Sequence, residues 1–351
     1  LSVGLVISPL VWVLLDFSQE DNVSMERNFI TATNLSRGGA KVAKLVTFGE
    51  TMIRLSVPMG KRLENTASLD VTVGGSEMNV AVDASRLGLQ AAWVSKLPAN
   101  GWGRHIINVC RQHGVATHVV WDPSGRCGLY FVEFGASPRP TEVLYDRSNS
   151  AFASIVPGEI DWETALSGAD VFLTSGITTA VCGLEVTEEA ISAAKRMGIK
   201  VAFDINYRSK LWDAATARIA YQKIMPQVDI LFVSGSDAVP FLSVSGRSAE
   251  ELLVNAAQEY GWDVAAMVHG SPPHSKSPWR VLAYSAGRLY TDDREIRLDT
   301  VDRIGAGDAF AAGFLAGYLT DGPQLGLQYG QAMLALKNTF FGDISWATLD
   351  D

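Results

Sequence analysis

The residues of this chain best suited to chemistry are a short run of glycines and an aspartate near its C-terminal end. The run Gly305-Ala306-Gly307-Asp308 stands in VDRIGAGDAFAAGFL and passes directly into an apolar segment that predicts a helix over 309–319. Small residues at a helix start let a ligand approach the backbone, where the first-turn N–H groups and the helix dipole attract an anion. A carboxylate beside such a site is better placed to act as a base near a transferring phosphoryl group than to bind phosphate itself.

Two common nucleotide-binding motifs are absent from this run. A Walker-type loop needs a lysine and a hydroxyl residue after its last glycine, and neither follows Gly307, while the dinucleotide pattern GxGxxG is missing as well. One alternative stays open on the tetrapeptide alone: Asp308 is a helix N-cap, since aspartate is a favoured capping residue, and the glycines form a tight turn. A second carboxylate, Asp302, stands just upstream.

The composition is that of an ordinary globular protein. With 351 residues, 47% of them hydrophobic, the chain can bury a large core as one α/β domain or as two smaller ones. A net charge of −9 gives no basic field, so we expect no nucleic-acid or membrane partner and expect local donors to hold any anionic ligand. The three cysteines are far apart and odd in number, which favours a reducing, cytoplasmic location over a disulfide framework.

The start of the chain differs from the rest. LSVGLVISPLVWVLL at 1–15 is apolar, but it lacks a basic leading segment and is shorter than the ~20 residues that a membrane span needs. We interpret residues 1–42 as an extension outside the fold and residues 43–351 as the folded domain.

From Lys44 onward, short β-branched or aromatic runs alternate with longer helical patterns that end in glycine, which is typical of parallel βαβ units. Strands are predicted over 44–50, 91–97, 170–175, 200–206, 228–234 and 264–269. Helices are predicted over 77–87, 102–113, 185–197 and 248–259, closed by Gly88, Gly114, Gly198 and Gly261. Residues 51–73 and 126–147 instead predict extended strands without a helix between them. We expect these to form a small antiparallel sheet that covers a ligand crevice as a lid.

Several motifs together resemble one enzyme family. DRIGAGDAFAAGFL and VGGSEMNVAVDASRLG (73–88) resemble the C-terminal and N-terminal motifs of the ribokinase-like, or PfkB-type, carbohydrate kinases. The resemblance runs from about Lys44 to the C-terminus. In detail the chain resembles the 2-keto-3-deoxygluconate kinases, because it carries motifs similar to theirs in the same order along the chain: GLYFVEF, YDRSNSAF, LTSGIT, FDINYRSKLW and ALKNTFFGD. It implies an α/β, three-layer fold with a mostly parallel central sheet and the small lid.

The same resemblance implies a reaction. ATP would phosphorylate the sugar acid 2-keto-3-deoxygluconate at its 6-hydroxyl, with Asp308 taking the proton. Gly305, Ala306, Gly307 and the Asp308 amide would form the anion hole for the transferred group. Magnesium is expected with ATP, whose charge must be bridged and neutralised.

For the sugar, the family pattern implies contacts from the N-terminal motif, from the lid and from the segment after the strand 200–206. Gly74, Gly75 and Asn79 would face hydroxyls, although a plain strand-to-helix turn explains them as well. An arginine can form a bidentate ion pair with a substrate carboxylate. The alternative for the lid residues is that they form an exposed strand face with a solvated charge. The residues implied on the lid and after the strand 200–206 are Tyr130, Tyr145, Arg147 and Arg208.

The nucleotide side departs from the family pattern. Where an Asn-x-x-Glu is usual, this chain has Ser234-Gly235-Ser236-Asp237, which keeps a carboxylate but shortens it. Ser234 and Asp237 are carried over as nucleotide contacts, with Asp237 near magnesium through water, and Ser234 as a plain N-cap is the alternative. Gly270 and Asn338 are the remaining expected nucleotide contacts, and a monovalent cation near Asp302 is an open feature of the superfamily.

Two other functions stay open at this stage. A fructokinase also carries an Asp-x-Asn-x-Arg segment, although the lid run RSNSAF favours the keto-deoxy acid. A catalytically weak sensor that binds a sugar acid or nucleotide is the alternative from another class, because the nucleotide side is altered. Lid sheets in this fold often supply dimer contacts, so a homo-oligomer through the lid is also expected.

Overall fold

A computed structural model describes residues 42–270, 279–292, 294, 296 and 299–351. The prediction that residues 1–42 form an extension falls outside the described residues, except for Val42. The strands in chain order are β1 (Lys44–Phe48), β2 (Met52–Ser56), β3 (Asp70–Gly74), β4 (Gln90–Pro98), β5 (Ala116–Asp122), β6 (Leu129–Glu133), β7 (Glu142–Asp146), β8 (Val171–Ser175), β9 (Lys200–Asp204), β10 (Ile230–Ser234), β11 (Val264–His269), β12 (Arg280–Ser285) and β13 (Arg288–Asp292).

The helices pack around these strands. They are α1 (Ser76–Arg86), α2 (Gly101–Gln112), α3 (Trp162–Ala165), α4 (Gly176–Cys182), α5 (Leu184–Arg196), α6 (Ala214–Ile224), α7 (Gly235–Phe241), α8 (Ala249–Tyr260) and α9 (Ala306–Lys337). Short 3₁₀ helices lie at Leu63–Asn65, Phe152–Ser154 and Met225–Gln227. In the described part of the chain, no helix has both the length and the apolar character needed to cross a membrane.

The main sheet has the strand order β13-β12-β11-β10-β9-β8-β1-β4-β5. From β11 to β5 every neighbouring pair is parallel, whereas β12 and β13 add an antiparallel edge. One face packs on α5, α6 and α8, and the other on α1 and α9, so successive strand residues such as Leu45 and Val46 enter different cores. The three-layer arrangement with a mostly parallel sheet is therefore confirmed.

The predicted strands and helices are found within a few residues of their expected bounds, and the four closing glycines have φ between 71° and 90°. The prediction omitted β5, β12 and β13 and four helices, α3, α4, α6 and α7. The predicted helix over 309–319 matches the first part of α9, which begins at Ala306, whereas the second part, which ends at Lys337, was not predicted. A kink at Asp321 and Gly322, followed by Pro323, interrupts this helix and explains why its apolar pattern ends early in the sequence.

The smaller sheet, which we call the lid, has the order β3-β2-β6-β7. Its outer pairs are antiparallel, but β2 and β6 are parallel, so the expectation of a purely antiparallel sheet was wrong at its centre. The parallel pair forms because β2 and β6 come from different segments and not from one hairpin. Buried lid residues, including Tyr130 and Val132, pack against Ile304, which directly precedes the glycine run. Pairing of two copies through the lid stays a prediction.

Candidate active site

Asp308 lies in the first turn of α9, but it does not cap that helix. The N-cap residue is Gly305, whose φ of 88° lies in the left-handed region. The Asp308 carboxylate instead accepts hydrogen bonds from the Ser76 hydroxyl at 2.6 Å and from Asn79 Nδ2 at 2.7 Å. The N-cap alternative was therefore wrong. Two residues of the first two turns of α1 hold this carboxylate in one orientation.

The surroundings of Asp308 change its acidity. Asp308 is 8% exposed, and burial raises the pKa of its carboxyl to about 6. The hydrogen bonds from Ser76 and Asn79 and the charge of Arg208 oppose this rise. A carboxylate with this pKa is ionised at neutral pH and is a stronger proton acceptor than an ordinary aspartate. This is the acidity that a general base needs.

This pKa predicts the acid limb of the pH–rate profile. In the role of base that the motif resemblance implies, Asp308 must be ionised to accept a proton, so kcat/KM is expected to fall as the pH drops through about 6. Ser76→Ala removes a hydrogen bond that favours the charged form, so the limb should move to higher pH. Ser124→Ala, an exposed serine that bonds only within its own turn, is the control and should leave the limb in place. An acid limb that is the same in Ser76→Ala and the wild type would contradict the assignment of the titrating group.

The start of α9 also offers main-chain donors. Among the described residues, the amide N–H groups of Gly307 and Asp308 find no acceptor. A Cβ added at Gly307 would meet no atom within 4 Å, so open space lies beside these donors. At Gly305 the added Cβ would lie 2.0 Å from the Asp343 carbonyl oxygen. Gly305 is thus required by packing and by its φ, whereas Gly307 faces room for a ligand.

The glycine pair before α1 is fixed by contacts within the protein. A Cβ at Gly74 would lie 2.1 Å from the Tyr130 hydroxyl, and one at Gly75 would lie 2.1 Å from the Glu50 carbonyl oxygen. The Tyr130 ring is 2% exposed and its hydroxyl donates to Asp343 Oδ1 at 2.6 Å. The absence of side chains at Gly74 and Gly75 therefore lets the lid residue Tyr130 and the β1–β2 connection pack closely against them. Contacts of these residues with a sugar stay a prediction.

The two candidate arginines have different environments. Arg147 is engaged by Glu50, to which its Nε donates at 2.9 Å, and Ser150 donates to the other Glu50 oxygen at 2.5 Å. Arg208 is exposed and forms no ion pair with a described residue, yet its charge acts on Asp308. Tyr145 is 42% exposed and its ring stacks on Tyr130 with centroids 5.9 Å apart. Of the two, Arg208 is thus the arginine whose guanidinium has no ion-pair partner in the described part of the chain and whose charge acts on Asp308.

The residues expected on the nucleotide side are only partly brought together. Ser234 is the N-cap of α7 and accepts from the Asp237 amide at 3.1 Å, which confirms its capping role. Asp237 interacts electrostatically with Asp204 at the end of β9, and burial raises the pKa of both carboxyls. Gly270 is exposed with φ 124° at the end of β11. Within the described residues, no group of three or more His, Cys, Asp or Glu side chains is arranged to hold a metal ion.

Asn338, the expected adenine contact, caps the C-terminal end of α9. It is fully buried, its Nδ2 donates to the Leu334 carbonyl at 2.7 Å, and its own carbonyl accepts from the Val301 and Asp302 amides. In this structure Asn338 therefore ties the end of α9 to the segment before the glycine run. Its role toward adenine stays a prediction.

Sequence reasoning missed several residues that shape this site. Ser76 receives a hydrogen bond from Asn206 Nδ2 at 3.1 Å, which links the segment after β9 to the residue that holds Asp308. Glu77 is buried, accepts from Ser175 at 2.5 Å and Thr178 at 2.7 Å, and burial raises its pKa to about 7. Ser76 and Glu77 stand in the motif SEMN, and Asn206 stands in DINYR. Their polar side chains, next to the predicted site residues Asn79 and Arg208, were the signal that could have identified them.

A buried ionic cluster joins the lid to the glycine run. Arg54 on β2 is fully buried and donates to Asp302 Oδ2 at 2.5 Å and to Asp343 Oδ1 at 2.6 Å. Asp302 also accepts from the Ile304 amide at 3.0 Å. No local pattern marks Arg54, because its partners lie 248 and 289 residues away.

The fold and this site together define a class. Residues 42–332 match the family model of the pfkB family carbohydrate kinases. The chain therefore belongs to that family and is a carbohydrate kinase. The ribokinase-like fold with its lid, expected from the motifs, is confirmed.

Relatives within the family are similar over nearly their whole length. The chain is 41% identical over 312 residues to the 2-dehydro-3-deoxygalactonokinase of Haloferax volcanii, covering 88% of this chain and 95% of the relative. A crystal structure of 2-dehydro-3-deoxygluconokinase from Thermotoga maritima superposes with a TM-score of 0.83 at 34% identity, covering 88% of this chain and 97% of that one. A putative ribokinase II from E. coli in complex with ATP and Mg²⁺ shares the fold, with a TM-score of 0.78 at 20% identity and 88% and 97% coverage.

Proposed function

We propose that this kinase transfers the γ-phosphoryl group of ATP to the 6-hydroxyl of a 2-keto-3-deoxy sugar acid, with Asp308 as the general base. The observation that carries the proposal is the Asp308 carboxylate, held by Ser76 and Asn79 beside two amides at the start of α9 that have no partner among the described residues. A sugar kinase needs a base and an anion site at one point, and these two features meet there.

The proposed step follows from this arrangement. The substrate hydroxyl gives its proton to Asp308, and its oxygen bonds to the γ-phosphorus. The bond from that phosphorus to the β–γ bridging oxygen breaks, and ADP leaves with the electron pair. The Gly307 and Asp308 amides stabilise the charge on the transferred group, and positioning supplies most of the remaining rate.

A sugar acid is supported by the positive charge near the base. Arg208 has a free guanidinium whose charge acts on Asp308, so it can pair with a substrate carboxylate. Arg147 is the weaker candidate for this role, because Glu50 already holds its guanidinium. Fructose has no carboxylate to pair with Arg208, but fructokinases carry an arginine in the same Asp-x-Asn-x-Arg segment, so the preference for a sugar acid over fructose rests on the lid run RSNSAF.

The donors on the nucleotide side suit magnesium that keeps most of its water. Asp204 and Asp237 offer carboxylate oxygens, and Mg²⁺ is typically held by one or two carboxylates together with substrate phosphates. These two residues would hold the ion, Asp237 through water. The bound ion would neutralise charge on the ATP phosphates.

The substrate is tested by release of ADP from purified protein. The panel contains the gluconate-derived and the galactonate-derived 2-keto-3-deoxy acids, which differ at one stereocentre and correspond to the names of the two relatives. Fructose, ribose and adenosine are the controls. We expect kcat/KM to be highest for one or both acids, with the gluconate-derived acid as the sequence-based expectation.

The other outcomes of the panel are equally informative. A higher kcat/KM with fructose than with either acid would contradict the sugar-acid assignment in favour of a fructokinase. Binding of an acid by calorimetry without ADP release from any compound would indicate a sensor instead of an enzyme acting on these substrates. Arg208→Met should lower kcat/KM for the acids and leave any slow turnover of fructose unchanged. This comparison separates loss of carboxylate binding from a general loss of activity.

A further inference from the structure

Lys337, the last residue of α9, places a positive charge directly under the segment that carries the anion hole. Its side chain is fully buried, and its Nζ donates to the carbonyl oxygens of Asp302 at 3.0 Å and Phe340 at 3.2 Å. An ammonium has three donors and no acceptor, so it suits a position where carbonyl oxygens converge. Nothing in the proposed transfer step uses this residue.

The carbonyls converge because two segments run side by side. The Val301 and Asp302 amides bond to the Asn338 carbonyl, and the Gly342 amide donates to Asp302 Oδ2 at 3.1 Å. The segment from Asp302 to Gly305 is thereby pinned against the turn that follows α9. Without a cation, the inward carbonyl dipoles of Asp302 and Phe340 would be buried and unsatisfied, which is costly.

The ionic cluster is already balanced in charge. Arg54 and Lys337 carry two positive charges, and the carboxylates of Asp302 and Asp343 carry two negative charges. A third buried carboxyl, Asp83, also acts on Lys337, but burial raises the pKa of Asp83 well above its ordinary value and so favours its neutral form. Burial lowers the pKa of Lys337, and the nearby carboxylates of Asp302 and Asp343 act in the opposite direction and favour the ammonium. A further buried cation would be left without a partner charge.

The resemblance to ribokinase-like kinases raised a monovalent cation near Asp302, and the residues present do not suit one. Potassium is bound by backbone carbonyl and carboxylate oxygens, and the two carbonyls at this point are already taken by the Lys337 ammonium. A free ion would have to displace a tethered charge that is held there by the chain.

We propose that the Lys337 ammonium is the built-in cation of this kinase, so that phosphoryl transfer requires no added monovalent cation. Lys337 acts as a positioning residue: it holds the Asp302 and Phe340 carbonyls, and through them the Asp302–Gly305 segment that sets the anion hole. The rate measurement that tests this proposal rests on the proposed kinase activity. The second measurement, the effect of potassium on Tm, rests on the geometry alone.

The test compares the wild type with Lys337→Ala in buffer whose only monovalent cation is tetramethylammonium. Potassium, ammonium or sodium is then added at constant ionic strength, and turnover is followed with the best substrate of the panel. Wild-type turnover should be unchanged by potassium. Lys337→Ala should lose turnover by about 10²-fold, since a small misplacement of a catalytic segment costs that much, and should regain it with potassium or ammonium.

Lys200→Ala is the matched control, because Lys200 forms an exposed pair with Asp263 and should show no response to any cation. Cation-dependent rescue is the readout that a merely structural role would not produce. Stimulation of the wild type severalfold by potassium would overturn the proposal, as would full activity of Lys337→Ala in tetramethylammonium.

A second measurement does not need activity. Potassium should raise the Tm of Lys337→Ala relative to sodium and leave the wild-type Tm unchanged, because only the variant has room for the ion. If Lys337→Ala does not fold, Lys337→Ser, which leaves nearly the same space for the ion and adds a hydroxyl oxygen, takes its place in both assays. If the wild type phosphorylates nothing in the panel, the substrate proposal fails while the Tm comparison still decides the cation proposal; an equal rise in the wild-type Tm would overturn it.

Discussion

Asp308→Asn is expected to lower kcat by about 10² to 10⁴-fold, the usual contribution of a general base. The substitution keeps the shape of the side chain and removes only its ability to accept a proton. The new amide can turn its oxygen to Asn79 and donate to Ser76, whose hydroxyl both donates and accepts, so the local hydrogen bonds survive. ADP release measures the loss, and calorimetry should show that the sugar acid still binds.

The control for this variant is Asp213→Asn. Asp213 is an exposed aspartate that caps α6 through the Ala215 and Thr216 amides, which is the role that sequence alone could not separate from that of Asp308. Asparagine is an equally good capping residue, so kcat should be unchanged there. Turnover of Asp308→Asn above about a tenth of the wild-type value would exclude Asp308 as the base, since general bases contribute more than that.

Arg54→Met is expected to lower the free energy of unfolding by about 3–5 kcal/mol. The substitution fills much of the same volume but leaves the carboxylates of Asp302 and Asp343 buried without their partner, and an uncompensated buried charge is strongly destabilising. Because Asp302 also orders the Ile304 amide next to the glycine run, kcat should fall as well. Denaturant unfolding followed by circular dichroism measures the stability change.

Arg62→Met is the matched control on the same lid. The Arg62 side chain is 53% exposed and pairs with Glu64 and Glu133, so its loss should cost no more than about 1 kcal/mol. If Arg54→Met and Arg62→Met unfold at the same denaturant concentration, the buried cluster does not stabilise the protein as argued.

Local patterns in the sequence were enough to locate most of the strands and to single out Asp308. The alternation of strands and helices, with glycine after each predicted helix, located the parallel sheet to within a few residues, because side-chain period and left-handed glycines are properties of neighbouring residues. The edge strands β12 and β13 were missed although they form a tight hairpin at Ala286 and Gly287. Their alternation is brief and both lie beyond the last predicted parallel strand.

The candidate site divides in the same way. The sequence by itself singled out Asp308, Asn79 and the glycine run, since each stands in a compact motif whose chemistry can be read from its own residues. Only the tertiary structure decided that Asn79 and Ser76 hold the Asp308 carboxylate, across separations of 229 and 232 residues. The cluster around Arg54 and the bonds from Lys337 to the Asp302 and Phe340 carbonyls were likewise decided by the fold. The physical reason is that charge pairing and burial depend on which distant segments are brought into contact, and a periodic pattern in one segment carries no information about its partner.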